Sequence, residues 1–334
     1  MLSAVIKEMK RTIKWGILGP GNIASKFADD LILVADAELV AVGSRDLTKS
    51  EAFALKYAGK RAYGNYEDLV TDEEVEIVYI ATPHPFHFEH TMLCLENGKS
   101  VLCEKPLAMN SRQVTAMTDL ARAKNLFLME GMWTRFLPTI EHVLSLINSG
   151  KIGTINHLTS DFGFAAKPDK LRLFKNELGG GALLDIGIYP LYMSLLFLGV
   201  PSKLEANATI TEANIDTFCA MMLDYGSSKA LLNTTILNNT PVETRIYGEK
   251  GAIIMHGKFH EGRKITVTLH DGFSEEIDLP PTGHGFYHEI LETGDCLRKG
   301  EIESPKMPWK SSHQLIGLLD LVREKIGLRF PADI

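Results

Sequence analysis

Three groups of residues stand at spacings that could do chemistry. Glu104-Lys105-Pro106 follows the apolar run Ser100-Val101-Leu102-Cys103, which reads as a short buried strand. Lys105 therefore leaves a strand at its carboxyl end, where open α/β sheets gather their ligands, and a rigid proline follows it. A positive charge there must meet a ligand, a partner or a transferring proton. Further on, Gly179-Gly180-Gly181 lets backbone pass close to something, and the apolar stretch after it carries Asp185 and Tyr189. If that stretch is helical, acid and phenol lie four apart on one face. Among apolar neighbours both need polar partners, and a plain hydrogen bond between the two would also satisfy them. Pro190 predicts a kink or a later helix start.

The third group, Gly19-Pro20-Gly21-Asn22-Ile23-Ala24, is a G-x-G-x-x-A turn between a strand and a helix. Gly19 permits the tight turn, Gly21 lets a pyrophosphate approach the backbone, and Ala24 lets helix pack on strand. Free N–H groups at the helix start, around Asn22 and Ile23, favour the phosphate charge. These features imply a dinucleotide. The second strand ends Gly43-Ser44-Arg45-Asp46. An acidic residue there would hold the ribose of NAD, whereas a basic one accommodates a 2′-phosphate. Ser44 and Arg45 hold the deciding positions, so NADP is expected over NAD unless Asp46 turns inward. In Ala81-Thr82-Pro83-His84-Pro85-Phe86-His87, two prolines stiffen a loop at the sheet's carboxyl edge. Thr82, Pro83, His84 and His87 are therefore candidates for the nicotinamide side. His84, His87, His90 and Cys94 have partly helical spacing, but nothing completes a ligand set, so no metal is expected.

The elements that must position these groups alternate from Ile13 onward. Strands are expected at Lys14–Leu18, Glu38–Val42, near Ala62, at Glu76–Ala81, before Lys105 and at Leu126–Met129, with helices between. That alternation implies a doubly wound parallel sheet covered on both faces, a Rossmann domain over residues 12–134. After Trp133 the texture changes. A helix at Thr139–Ser149 leads to short alternating strands near 155–164, 204–212, 217–225, 228–237, 242–248, 251–256 and 264–270, then to a helix near Ser311–Ile326. This reads as an α+β domain over 135–334 with a large, mostly antiparallel sheet.

Composition narrows the function class. The chain has 334 residues and a net charge of −7, with no basic stripe to neutralise phosphates, so nucleic acid is not an expected partner. No apolar run approaches a membrane span, and the amphipathic opening, Met1 to Thr12, lacks the apolar core of a signal peptide. Four scattered cysteines suit reduced thiols, and the expectation is a cytoplasmic enzyme acting on a small molecule.

Together, Gly19-x-Gly21-x-x-Ala24, Ala81-Thr82-Pro83, Glu104-Lys105-Pro106 and Gly180-Gly181-Ala182-Leu183-Leu184-Asp185-x-Gly187-x-Tyr189 resemble the glucose–fructose oxidoreductase / inositol dehydrogenase family over nearly the whole chain. Two departures narrow the subgroup: His84 stands where many members have Asn, and Tyr189 where many have His. With Leu128-Met129-Glu130-x-x-Trp133-Thr134-Arg135-Phe136 and Cys296-Leu297-Arg298-Lys299-Gly300, they look like the dimeric dihydrodiol dehydrogenase / NADP-dependent D-xylose dehydrogenase subgroup. The resemblance implies that Lys105 is catalytic, that the Asp185–Tyr189 segment lines the substrate pocket, and that the large sheet forms a dimer interface. Glu104 joins the cofactor side.

The expected reaction is reversible hydride transfer between nicotinamide and a carbinol or carbonyl carbon of a sugar or diol. Tyr189 would move the proton, and Asp185 would orient substrate or hold Lys105 charged. A lysine about 4 Å from the phenol, opposed by burial, predicts a Tyr189 pKa between about 7 and 9. Trp133, Phe162 and Phe286 could supply an apolar wall, and Arg135 and Arg172 polar contacts. The rival readings are a nucleotide-sensing regulator without turnover and an oxidoreductase that never releases its cofactor.

Overall fold

The computed structural model describes residues 10–167 and 171–333. Most of the amphipathic opening segment, residues 1–9, lies outside the described residues.

The first half forms a six-stranded parallel sheet from β1 (Ile13–Leu18), β2 (Ala37–Gly43), β3 (Arg61–Tyr63), β4 (Ile77–Ile80), β5 (Ser100–Glu104) and β6 (Leu128–Gly131). Its order, β3-β2-β1-β4-β5-β6, reverses direction between β1 and β4. A crevice opens at such a reversal, beyond the carboxyl ends of the strands. β4 and β5 are buried at every residue, as strands covered on both faces must be. The covering helices are α1 (Asn22–Leu31), α2 (Leu47–Lys56), α3 (Tyr66–Thr71), α4 (His87–Glu96) and α5 (Ser111–Lys124).

After α6 (Pro138–Asn148) the chain builds an eight-stranded sheet. Its members are β7 (Ile155–Gly163), β8 (Lys203–Ile210), β9 (Asp216–Asp224), β10 (Lys229–Thr235), β11 (Thr244–Gly248), β12 (Gly251–Met255), β13 (Lys264–Leu269) and β14 (Ser274–Asp278). The order is β14-β13-β12-β11-β7-β10-β9-β8, antiparallel except where β7 and β10 run parallel. The fold is therefore the expected combination of a Rossmann sheet and a large, mostly antiparallel one.

Helix α7 (Ile188–Leu198) packs on the inner face of this sheet, against β7 and β10. The run 176–198 is apolar and long enough to cross a bilayer by composition, yet 78% of its most apolar window is buried inside the protein. It is a core helix, hydrophobic all round because protein surrounds it. Pro190 follows closely on the π-turn Leu183–Gly187 that leads into α7, so its ring falls where the regular i→i−4 ladder is already interrupted. Helices α8 (Phe286–Lys299) and α9 (Trp309–Ile326) return to the parallel layer, α8 against α1 and α9 against α5. The Asp30 carboxylate of α1 accepts from His284 N (2.8 Å) and Tyr287 N (3.0 Å), capping the start of α8. The two sheets are thus tied by helix packing and by a buried cap.

Candidate active site

A cleft of about 1210 Å³ lies between the two sheets at the reversal point. Its floor is the turn after β1. Gly19 has φ +90°, and a Cβ there would run 2.7 Å from Thr82 Cγ2, so only glycine fits. Gly21 faces open space, with nothing within 4 Å of where a Cβ would stand. As N-cap of α1 it offers no side-chain acceptor, and the first turn carries no acid. The N–H groups of Asn22 and Ile23 are left facing the cleft, which suits a diphosphate. Ser44 and Arg45 lie beyond the cleft wall. Ser44 is buried and its Oγ accepts from Asp46 N (3.2 Å), while Arg45 is exposed beside Tyr66. Asp46 is the N-cap of α2, accepting from Lys49 N, and so does not turn inward.

The loop after β4 forms one wall. His87 ties it to the loop after β5: Nε2 lies 2.7 Å from Thr82 O and Nδ1 2.8 Å from Pro106 O. Only an imidazolium could donate to both carbonyls. Burial nevertheless pushes its pKa down to about 4, so the neutral ring donates to one of them at a time. His90 pairs through Nδ1 with Thr82 Oγ1 (3.0 Å). Among the described residues, no cluster of three or more His, Cys, Asp or Glu side chains is arranged around a common metal position.

Lys105 reaches into the cleft and donates to the backbone oxygen of Asp185 (2.7 Å), with the Asp185 carboxylate at 3.6 Å. Arg172 donates to the same carboxylate at 2.7 Å, and His84 Nε2 stands 3.8 Å from it. Burial would raise this acid, but Lys105 and Arg172 together hold it well below the usual carboxylate range. Among the described residues Glu104 makes no ion pair: it accepts from the Tyr79 hydroxyl and from Lys105 N (3.3 Å), and burial pushes it up.

Asp185 lies in a π-turn (Leu183–Gly187) that runs into α7, so it and Tyr189 share one continuous helical path. Single π-turns of this kind are frequent at functional sites. Asp185 and Tyr189 do not bond to each other. The Tyr189 oxygen accepts from Trp133 Nε1 at 2.9 Å, leaving its own hydrogen free to point into the cleft. Lys105 Nζ lies over the ring face, 5.1 Å from its centre. This corrects the expected phenol between 7 and 9. Burial pushes Tyr189 well above its ordinary value, Glu104 adds to the push, and the Trp133 N–H opposes both without winning. The cation that was to lower it is engaged by Asp185 instead.

Trp133, Phe162 and Phe286 line the cleft. Trp133 stacks on Phe286 (5.1 Å, 9°), and Phe162 stacks on His260 (4.3 Å, 28°). Arg135 does not line it. The 3-10 turn Trp133–Phe136 sends Arg135 to the other side, where it pairs with Glu141 (2.9 Å) and Lys306 O (3.0 Å). His260 was not legible: it arrives on the loop after β12, far along the chain, with its backbone oxygen held by Thr134 Oγ1 (2.8 Å). Burial pushes this ring down to about 3, so it is a neutral wall.

Residues 13–132 match the model of an oxidoreductase family with an NAD-binding Rossmann fold, and residues 140–254 match the GFO/IDH/MocA C-terminal domain. The chain belongs to the GFO/IDH/MocA family of oxidoreductases. Within this family it is 36% identical to trans-1,2-dihydrobenzene-1,2-diol dehydrogenase of Xenopus laevis, over 95% of this chain and 99% of that one. It is 34% identical to an NADP(+)-dependent D-xylose 1-dehydrogenase of Hypocrea jecorina, over 96% and 93%. Among solved structures, a 3-ketoreductase from Actinomadura kijaniata in complex with NADP and TDP-benzene superposes with a TM-score of 0.85 at 26% identity, covering 95% of this chain and 98% of that one. As a GFO/IDH/MocA oxidoreductase, the protein places its glycine turn, Lys105, Asp185 and Tyr189 in one cleft.

Proposed function

We propose that the protein is an NADP-dependent oxidoreductase acting on a carbinol or carbonyl carbon of a sugar or trans-dihydrodiol, with Tyr189 as proton donor and acceptor. The observation that carries this reading is the Tyr189 hydroxyl. It is fixed by Trp133 at the junction of a dinucleotide turn and an aromatic wall, next to the Lys105–Asp185–Arg172 cluster. The names of the diol and xylose relatives support the substrate class. An outward Arg45, with Asp46 used as a helix cap, supports NADP.

When bound, nicotinamide supplies or accepts the hydride. The residues of the chain do the rest. Gly21, Asn22 and Ile23 seat the diphosphate. Thr82, Pro83, His84, His87 and Glu104 shape the nicotinamide end. Lys105, held by Asp185, offers its remaining N–H groups to a substrate oxygen. Tyr189 stays protonated at neutral pH, so in this form it is an acid ready to protonate a carbonyl oxygen. In the reverse direction the phenol would first have to give up this proton, so that direction is expected to need a higher pH. Trp133, Phe162 and Phe286 take the apolar side of the substrate, and Arg172 lines the polar side. The outer face of the large sheet supports a homodimer, because Phe218, Met222 and Leu231 stand exposed on adjacent strands.

Absorbance at the reduced-nicotinamide band, followed with sugars and trans-diols, tests the reading. NADP should give a lower KM than NAD. Tyr189→Phe should lower kcat by about 10²–10⁴-fold while cofactor binding stays nearly unchanged. Lys105→Met should lower kcat as well and weaken binding of the nicotinamide end. Normal turnover in the phenylalanine variant would remove Tyr189 from the mechanism.

A further inference from the structure

The mouth of the cleft carries a second group of cations that the proton-transfer site does not use. Five cationic side chains line the cleft against three carboxylates. Deep inside, Asp185 is shared by Lys105 and Arg172. At the mouth stand Lys26, Lys258 and Arg263, opposed by Glu261 alone. Glu261 contacts Lys258 at 3.4 Å. Among the described residues, neither Lys26 nor Arg263 has a hydrogen-bond or ion-pair partner for its side chain. Three exposed cations with one carboxylate between them are a site for an anion.

The elements that bear them fix its identity. Lys26 stands on α1, one turn beyond the N–H groups of Asn22 and Ile23. Lys258 and Arg263 come from the other domain, on the loop between β12 and β13. That loop is rigidly made. Lys258 takes φ +64°, which a non-glycine residue adopts only where its surroundings impose it. Phe259 N bonds Val242 O at 3.1 Å, and Gly262 N bonds Phe259 O at 3.1 Å. Thr134 holds the His260 carbonyl from the Rossmann side. Lys26, Lys258, Arg263 and the His260 ring all line one cleft, so the two elements contribute to the same mouth.

We propose that Lys258 and Arg263, with Lys26, form a clasp for a diphosphate laid on the N-terminus of α1. The antiparallel domain thereby holds the cofactor as well as the substrate. This rests on the dinucleotide reading above and adds a second wall to it. The clasp slows cofactor release, since a ligand held from both domains leaves only when both let go.

The test is the double variant Lys258→Gln, Arg263→Gln, with Lys26→Gln as a separate arm. NADPH binding is read directly by its fluorescence, without substrate and over a salt series. Wild type should bind with a marked salt dependence. The double variant should bind about tenfold or more weakly, release NADPH faster, and show a shallower salt slope, with an unchanged melting temperature. An unchanged NADPH affinity, together with a raised KM for a phosphorylated aldose but not for the free sugar, would assign the cations to a substrate phosphate and overturn the clasp. Unchanged values in every arm would overturn the anion site altogether. If wild type binds no NADPH, the dinucleotide reading itself fails, which is a different result from loss in the variant alone.

Discussion

At the scale of single residues, the decisive relation is between Tyr189 and Trp133. A phenol whose oxygen accepts the indole N–H keeps its own hydrogen for the cleft, and its anion would keep one donor. Trp133→Phe keeps an aromatic ring against Phe286 and removes that donor. Loss of one hydrogen bond to the phenolate should raise the apparent pKa governing kcat by roughly one unit, since about 1.4 kcal/mol corresponds to one unit. Activity as an oxidant-driven base should therefore need a higher pH, while KM for the cofactor stays put. A superimposable pH–kcat profile would show that the contact only packs the wall. Lys105 was legible as functional because a charge at a buried strand's end is costly. Asp185 was legible as a holder of that charge; its use of a backbone oxygen was not, because the π-turn that aims this oxygen at the ammonium leaves no mark in the sequence.

At the scale of elements, buried parallel strands and the turn after β1 were plain from their apolar runs and glycines. Helix α8 was not, because it begins at Gly285 with φ +103° and takes its cap from the distant Asp30, so no local start signal marks it. Strand β14 is an acidic, exposed edge without alternation. The buried cap Asp216 was equally hidden, lying a strand away from the turn that it serves. Its Oδ2 accepts from Leu183 N at 2.7 Å, and a Cβ on Gly181 (φ +106°) would run into it. Burial pushes this acid up to about 7. An acid raised in the folded state stabilises fully below its ordinary range, and that stability is lost as pH rises toward 7. The loss from an ordinary 3.8 to about 7 is at most about 4 kcal/mol. Asp216→Asn keeps an acceptor for Leu183 N and removes the titration. Its melting temperature relative to wild type should therefore climb between pH 4 and pH 7 and level off above. Parallel profiles for the two proteins would mean that the carboxyl is not protonated in the folded state.

At the scale of the whole molecule, the eight-stranded sheet has one face covered and one bare. Helices α7 and α9 bury the inner face against β7, β8 and β10. On the outer face Phe218, Met222 and Leu231 are 36%, 52% and 47% exposed, around a shallow hollow of about 780 Å³ edged by Glu205, Asn207, Glu243 and Arg245. An apolar centre within a polar rim is how protein interfaces are built, and a two-fold axis lets one such face meet itself. The alternation that made these strands legible also foretold a solvated face; the apolar residues on it are what the proposed homodimer contact rests on. Met222→Glu with Leu231→Glu places four like charges at the centre of a symmetric contact, on side chains that support nothing inside the fold. Light scattering at micromolar concentration should then show twice the chain mass for wild type and a single chain for the variant. Gly21, Lys105, Asp185 and Tyr189 all line the cleft from one chain, so turnover per chain should survive the separation. A wild-type monomer, or a variant that keeps the doubled mass, would rule this face out as the contact.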